Sequence, residues 1–281
     1  MGGPGFVRWE TEFPDARGVQ YPGPGTFGTD TSDYCVVRGT PVVEGPAAVD
    51  DDTFGPVERW LFNASLVGEE GVEDLEVDLG TIQYTSGPLP STQAADFPDN
   101  TDRLISVSTP TDAALRIPGE LTVAVWVWPG TVVGSLSVSR IIDCGLTGTT
   151  GTANSFLYNL VFSTNPGRIR FNWQDSAQVL QQNTTTPEVS TEEWHHIVAV
   201  RSSGGAGDVT SRIYADGVLF NEVTGLNPAF GGENVPIHVG QGDNDAGGLR
   251  GRVSAIKVFD QALTQAEVMA LYKRGIQPEL R

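Results

Sequence analysis

Hydrophobic and polar positions alternate in short runs along most of this chain, and the runs end at glycine, proline or small polar residues. Leu121-Thr122-Val123-Ala124-Val125-Trp126-Val127-Trp128-Pro129 is the longest, rich in β-branched and aromatic side chains. Runs of the same kind begin near Val57 and include Ala94–Phe97, Asp102–Val107, Ser139–Cys144, Leu157–Phe162, Arg168–Trp173, Ile237–Gly240 and Gly251–Phe259. Trp194–Val200 and Arg212–Phe220 predict a hairpin, with Asp216-Gly217 as a two-residue turn signal and Ser202–Asp208 as a small flexible loop. About ten short strands with glycine-rich turns and almost no helix predict a two-sheet sandwich. One helix stands out. Thr264-Gln265-Ala266-Glu267 reads as a capping box, Val268, Leu271 and Tyr272 follow at helical spacing, and Gly275 is expected to stop the helix.

Residues 1–56 differ from the rest. They hold ten glycines and seven prolines, yet Phe6, Trp9, Phe13, Tyr21, Phe27 and Tyr34 are spread through them. A free linker is poor in aromatics, so this stretch reads as an extended arm ordered by lying against its own domain or a neighbouring subunit. The division expected is an arm over 1–56 and one domain over 57–281. The chain carries 35 acids against 17 bases, a net charge of −18, and its only lysines are Lys257 and Lys273. That field repels nucleic acid and anionic lipid, and its plainest use is solubility. No apolar run reaches the roughly 18 residues of a membrane span, and the first residues show no export signal. Cys35 and Cys144 make no metal-ligand spacing; reduced thiols are expected, with one long-range disulfide as the alternative.

Several of these runs carry a resemblance. Trp194-His195-His196-Ile197-Val198, Ile213-Tyr214-Ala215-Asp216-Gly217-Val218, Ile237-His238-Val239-Gly240-Gln241, Ala94-Ala95-Asp96-Phe97 and the closing Ala262-Leu263-Thr264 to Leu271-Tyr272 segment resemble the laminin-G-like jelly roll. That family lies within the concanavalin A-like lectin/glucanase superfamily. The resemblance covers about residues 57–276 and implies an all-β, antiparallel two-sheet jelly-roll sandwich. It does not fix a function, because this sandwich hosts lectins, enzyme accessory modules, adhesion domains and virion proteins.

The residues then have to be tested for chemistry. Glucanases of this superfamily carry three acids on one strand face, whereas Glu76 and Asp78 are followed by Gly80 and Thr81, and they precede the Ala94–Phe97 strand. They read as a solvated strand edge. His195 and His196 point to opposite faces and cannot chelate one ion together, and the resemblance implies that the pair belongs to the fold. The sequence by itself builds no Ser-His-Asp or Cys-His set. The chain is therefore expected not to be an enzyme. Asp243, Asn244 and Asp245 in the loop Gly240–Gly248 are oxygen donors on a pliable backbone and predict a Ca²⁺ site, in a loop that resembles that of pentraxins. Trp128 and Trp173, the latter beside Asn172 and Asp175, are candidate glycan-binding residues; packing against the arm explains the tryptophans equally well. The function expected is a non-enzymatic virion surface protein, a phage minor tail, fibre or capsid-decoration component. Such a protein reaches the outside by lysis rather than export. Its partners would be other virion proteins or further copies held through the arm, and a host-surface glycan. The alternative is an extracellular carbohydrate-binding lectin or accessory module.

Overall fold

Alternating runs become strands wherever one side of each can be buried. The computed structural model describes residues 55–276 except 90–91, 109–111, 131–137, 147–154, 164–166, 205–206, 230–234 and 243–246. All described residues belong to one compact unit, Ala48–Arg281. The expected arm, up to residue 54, and the expected metal ligands Asp243, Asn244 and Asp245 lie outside the described residues, as does Cys35.

In chain order the strands are β1 (Glu58–Trp60), β2 (Leu75–Leu79), β3 (Gln83–Ser86), β4 (Gln93–Phe97), β5 (Arg103–Ser106), β6 (Leu121–Pro129), β7 (Val138–Leu146) and β8 (Ser155–Ser163). They continue as β9 (Ile169–Gln174), β10 (Leu180–Thr184), β11 (His195–Ser203), β12 (Val209–Ala215), β13 (Val218–Leu226), β14 (Ile237–Val239) and β15 (Gly251–Phe259), with helix α1 at Gln265–Ile276. An eight-stranded sheet runs β13-β12-β11-β6-β15-β4-β3, with β1 also paired to β15. A seven-stranded sheet runs β10-β9-β8-β7-β14-β5-β2. Every pairing is antiparallel. The chain is the expected jelly-roll sandwich with one short C-terminal helix.

Three local differences from the sequence reading have physical causes. The 212–220 run is two strands rather than one, because Asp216 and Gly217 both take positive φ (51° and 77°) and turn β12 into β13. Strands β3 and β10 are too polar to show in a hydrophobic pattern, since each lies at a sheet edge. Gly275 lies inside α1 and does not end it. A Cβ there would stand 2.6 Å from the Trp126 ring, so the residue is small to let the helix approach the sheet.

The main core fills the space between the sheets and includes Trp60, Phe97, Leu104, Tyr158, Phe171, Trp173 and Ile197. A second cluster on the outer side of the eight-stranded sheet joins Ala124, Val198, Val200, Tyr214 and Phe259 to Leu263 and Val268. The capping box forms as expected: Thr264 N–H donates to Glu267 Oε2 at 2.6 Å and Glu267 N–H to Thr264 Oγ1 at 3.4 Å. A guanidinium lies in the core. Arg201 on β11 is buried and donates to three carbonyls, Ile117 O at 2.6 Å, Gly119 O at 2.9 Å and Leu157 O at 3.0 Å, with its guanidinium 5.4 Å from the Trp173 ring centroid. Cys144 beside it is a free, buried thiol whose pKa burial pushes up to about 12.

Candidate functional site

Strand alternation decides what each face of the seven-stranded sheet presents. Inward go Leu104, Cys144, Tyr158, Leu160, Phe171, Trp173 and Val239. Their neighbours therefore point away from the core, and the register lines them up. Gln182 pairs with Asn172, Asn172 with Asn159, Asn159 with Asp143, Asp143 with His238, His238 with Ile105 and Ile105 with Glu76. One row thus crosses all seven strands, polar except at Ile105. Gln182 and Glu76 at its ends are exposed, while Asn172, Asn159, Asp143 and His238 between them are buried.

The middle of the row is tied together. Asn172 Nδ2 donates to Asn159 Oδ1 at 2.8 Å, and Asp143 Oδ2 lies 3.1 Å from Arg140 Nε. Asn172 Oδ1 has no hydrogen-bond partner among the described residues, although the residue is only 6% exposed. The side-chain amide of Gln241, just beyond β14, is likewise buried without a hydrogen bond at either end among the described residues. Buried amides left open in this way are acceptors and donors held ready for a polar ligand or water. Gly242, next in the chain, is bracketed by two guanidinium groups. Its carbonyl accepts from Arg103 Nη1 at 2.7 Å, and Arg140 Nε stands 2.7 Å from where a Cβ would be.

The opposite outer face is built differently. On the eight-stranded sheet Trp126 and His196 are in register, 5.0 Å apart between ring centroids, and Tyr272 of α1 stacks on both at 5.9 and 6.0 Å. Trp126 is buried. Burial, aided by the charge of Lys257 and opposed by Asp216, drops the His196 pKa to about 3. Beyond the helix the same face carries a row of Trp128, Arg252, Asp96 and Gln83. Arg252 covers the Trp128 ring at 4.6 Å and lies 3.8 Å from Asp96. Burial raises the Asp96 pKa, and Arg252 acts against that shift.

The four expected glycan residues are not brought together. Trp173 is a correction: alternation turns it inward, it is 0% exposed, and its Nε1 donates to Asn227 O at 2.8 Å, so it offers no ring face. Asp175 is a second correction. It is buried and ties the β9–β10 turn, accepting from Asn227 Nδ2 (2.7 Å), Ala177 N (2.9 Å), Val179 N (2.9 Å) and Gln181 Nε2 (3.0 Å). The Asn227 bond, then the Val179 N–H, holds its carboxyl below the usual range. Asn172 and Trp128 do reach outer faces, but of different sheets. Asn159, Asp143, Gln182 and His238 were missed. Polar residues at every second position in β9 (Arg170, Asn172 and Gln174) were the available signal, but register across strands is not written in any one strand.

A hydroxyl–imidazole–carboxylate chain does exist, which the sequence did not reveal. His195 Nδ1 is 2.8 Å from Asp216 Oδ2, and its Nε2 is 3.0 Å from Ser190 Oγ. Ser190 donates its proton to Glu193 Oε2 at 2.7 Å, closing its own turn, so the hydroxyl is engaged with a carboxylate. Asp216 also accepts from His196 N–H at 2.9 Å. Burial works to raise its pKa, but the His195 and His196 bonds prevail and lower it. The chain fastens the Asp216-Gly217 turn to β11. Of the acids once weighed for catalysis, Glu76 is exposed on the edge strand β2 and Asp78 accepts from Arg103 Nε at 2.6 Å. Among the described residues no group of three or more His, Cys, Asp or Glu side chains is placed to hold a metal. Among the same residues no helix is long and apolar enough to cross a membrane.

Comparison with known proteins agrees with this architecture. The family model described as the concanavalin A-like lectin/glucanases superfamily matches residues 101–269. None of the curated proteins matches the chain in sequence. Among solved structures the fold is similar to domain 4 of AbnA, a GH43 extracellular arabinanase from Geobacillus stearothermophilus, in complex with arabinotriose. The TM-score is 0.59 at 17% identity, covering 77% of this chain and 98% of that one. It is also similar to the receptor-binding domain of botulinum neurotoxin C/D mosaic serotype (TM-score 0.56, 14% identity, 78% of this chain and 51% of that one). The binding domain of botulinum neurotoxin serotype G gives a TM-score of 0.57 at 13% identity, over 78% and 50%. The chain therefore spans about half the length of the neurotoxin domains.

Proposed function

This chain belongs to the concanavalin A-like lectin/glucanases superfamily, and we propose that within it the protein is a non-catalytic carbohydrate-binding protein whose ligand lies on the polar face of the seven-stranded sheet. The observation that carries this reading is the row from Gln182 to Glu76. Six inter-strand spacings of about 4.8 Å give it a length of roughly 29 Å, enough for an extended oligosaccharide. Sugar hydroxyls both donate and accept, so side-chain amides held in fixed orientation recognise them. Asn172 Oδ1 would accept from one hydroxyl while its Nδ2 remains on Asn159. The similar arabinanase domain was solved with arabinotriose, which supports a sugar ligand at the level of fold. The test is a screen of the full-length chain on immobilised oligosaccharides, repeated with Asn172→Ala and Gln182→Ala. Binding that weakens about tenfold with Asn172→Ala is the expected result. No bound saccharide, or undiminished binding by both variants, defeats the reading.

The narrower setting is a virion surface, with residues 1–56 strapping the protein to neighbouring subunits; an extracellular lectin or accessory module is the alternative. Support for the strap is the aromatic-bearing Gly/Pro composition of that segment. Light scattering on the full-length chain and on one beginning at Val57 tests it: assembly of the longer chain alone is expected, and two monomers favour the lectin. Calcium at Asp243, Asn244 and Asp245 belongs to the same proposal. The carboxylates of Asp243 and Asp245 would have to outweigh the guanidinium groups of Arg103 and Arg140 at Gly242. A thermal midpoint that rises with Ca²⁺, falls with EDTA, and does neither in Asp243→Ala is the expected outcome.

A further inference from the structure

We propose that the saccharide taken by this face is anionic and that Arg170 receives its carboxylate; the inference rests on the sugar-binding reading above. Seven arginines elsewhere, from Arg59 to Arg252, each lie within ion-pair reach of an aspartate or glutamate. Arg170 differs. It stands on β9 next to the polar row, half-buried, with Thr184 and Val161 as its register partners. Its Nη2 donates to Ser163 Oγ at 2.8 Å, its buried Nε has no acceptor, and none of the described acids pairs with it. Burial lowers its pKa, the mark of a guanidinium taken partly out of water without a counter-charge.

The surroundings fit an anion as well. Strands β8, β9 and β10 contain no aspartate or glutamate, in a chain that has 35. Asp143, the nearest acid along the row, is already bridged to Arg140. Two residues from Arg170 on the same face, buried Asn172 leaves its Oδ1 open, an acceptor placed for a sugar hydroxyl. A guanidinium fork beside an amide acceptor matches a uronic acid, whose carboxylate and ring hydroxyls sit side by side. A neutral sugar hydroxyl can accept from the buried Nε but brings no counter-charge to the guanidinium.

The experiment uses the full-length chain with a panel of uronate polymers (galacturonan, glucuronan and alginate), each beside its carboxyl-reduced neutral form, and with a sulfated galactan that carries no carboxylate. Affinities are measured by titration calorimetry at two salt concentrations. At least one uronate is expected to bind about tenfold tighter than its reduced form, with the advantage shrinking as salt rises. Arg170→Gln should make acidic and reduced polymers bind alike, and Arg170→Lys should restore part of the preference. Equal affinity of the unsubstituted chain for every acidic and reduced pair overturns the inference without touching the sugar-binding reading. Arg170-dependent binding of the sulfated galactan alone replaces carboxylate with sulfate and overturns the uronate assignment. If nothing binds, here or in the oligosaccharide screen, the sugar-binding reading falls and this inference falls with it.

Discussion

The outer faces of the two sheets begin from the same alternation and end in opposite states. On the eight-stranded sheet the outward positions are Ala124, Trp126, His196, Val198 and Val200, and α1 seals them. On the seven-stranded sheet the positions facing away from the core are Asp143, Asn159, Asn172, Gln182 and His238, and no described helix lies on them. One face stabilises the protein by burying aromatic surface, whereas the other spends its side chains on hydrogen-bonding groups. If saccharide binds where we propose, stability and binding fall on opposite sides of one sandwich, and changes on one side should act mainly on one of the two.

The largest way to break that contrast is Trp126→Ala. It removes the ring wedged between β6, His196 and α1 and should cost about 3–5 kcal/mol in urea unfolding, with saccharide affinity per folded molecule unchanged. Next comes pH. With the His196 pKa at about 3 when folded against 6.5 for the free side chain, the unfolded chain takes up a proton that the folded one refuses. Stability should hold above pH 6.5 and fall as pH drops below it, by about 2 kcal/mol at pH 5. His196→Gln should remove that slope; an unchanged slope would place the proton uptake elsewhere. On the polar face, Asn172→Ala should weaken saccharide binding about tenfold and cost about 1–2 kcal/mol of stability, since it strips buried Asn159 Oδ1 of its donor. The smallest effect sharpens the choice of face. Trp128→Ala loses the Arg252 stack, worth about 1 kcal/mol, and should leave saccharide binding as it was. Loss of binding instead would move the site to the eight-stranded sheet.

Much of the fold was legible because its strongest signals are local. The alternation of Leu121–Pro129, the Asp216-Gly217 turn and the Thr264–Glu267 capping box each act within a few residues, and each forms. The candidate site was far less legible. Asn172, next to Trp173, was noticed for the wrong reason, since the tryptophan faces the core and the asparagine faces away. Asp143, Asn159 and His238 come from three strands and meet only through pairing register. Acid function was misread in a similar way. The negative charge looked like solubility, yet Glu58 is buried and accepts from four backbone N–H groups, those of Arg59, Glu70, Val72 and Glu73. Such acids pin loops, and nothing in their sequence separates them from acids that only face water.

Buried Arg201 has a consequence for how this sandwich comes apart. Its three carbonyl acceptors lie on the Ile117–Gly119 segment ahead of β6 and on β8, which belongs to the other sheet. A single sheet offers the guanidinium only some of its acceptors. Parting the sheets breaks the Leu157 bond and the packing around the cation together, so the residue couples the two sheets and should sharpen unfolding. A substitution such as Arg201→Met should therefore act chiefly on the sharpness of unfolding, letting one sheet fray ahead of the other, and chemical denaturation followed by two spectroscopic probes would show the transitions part.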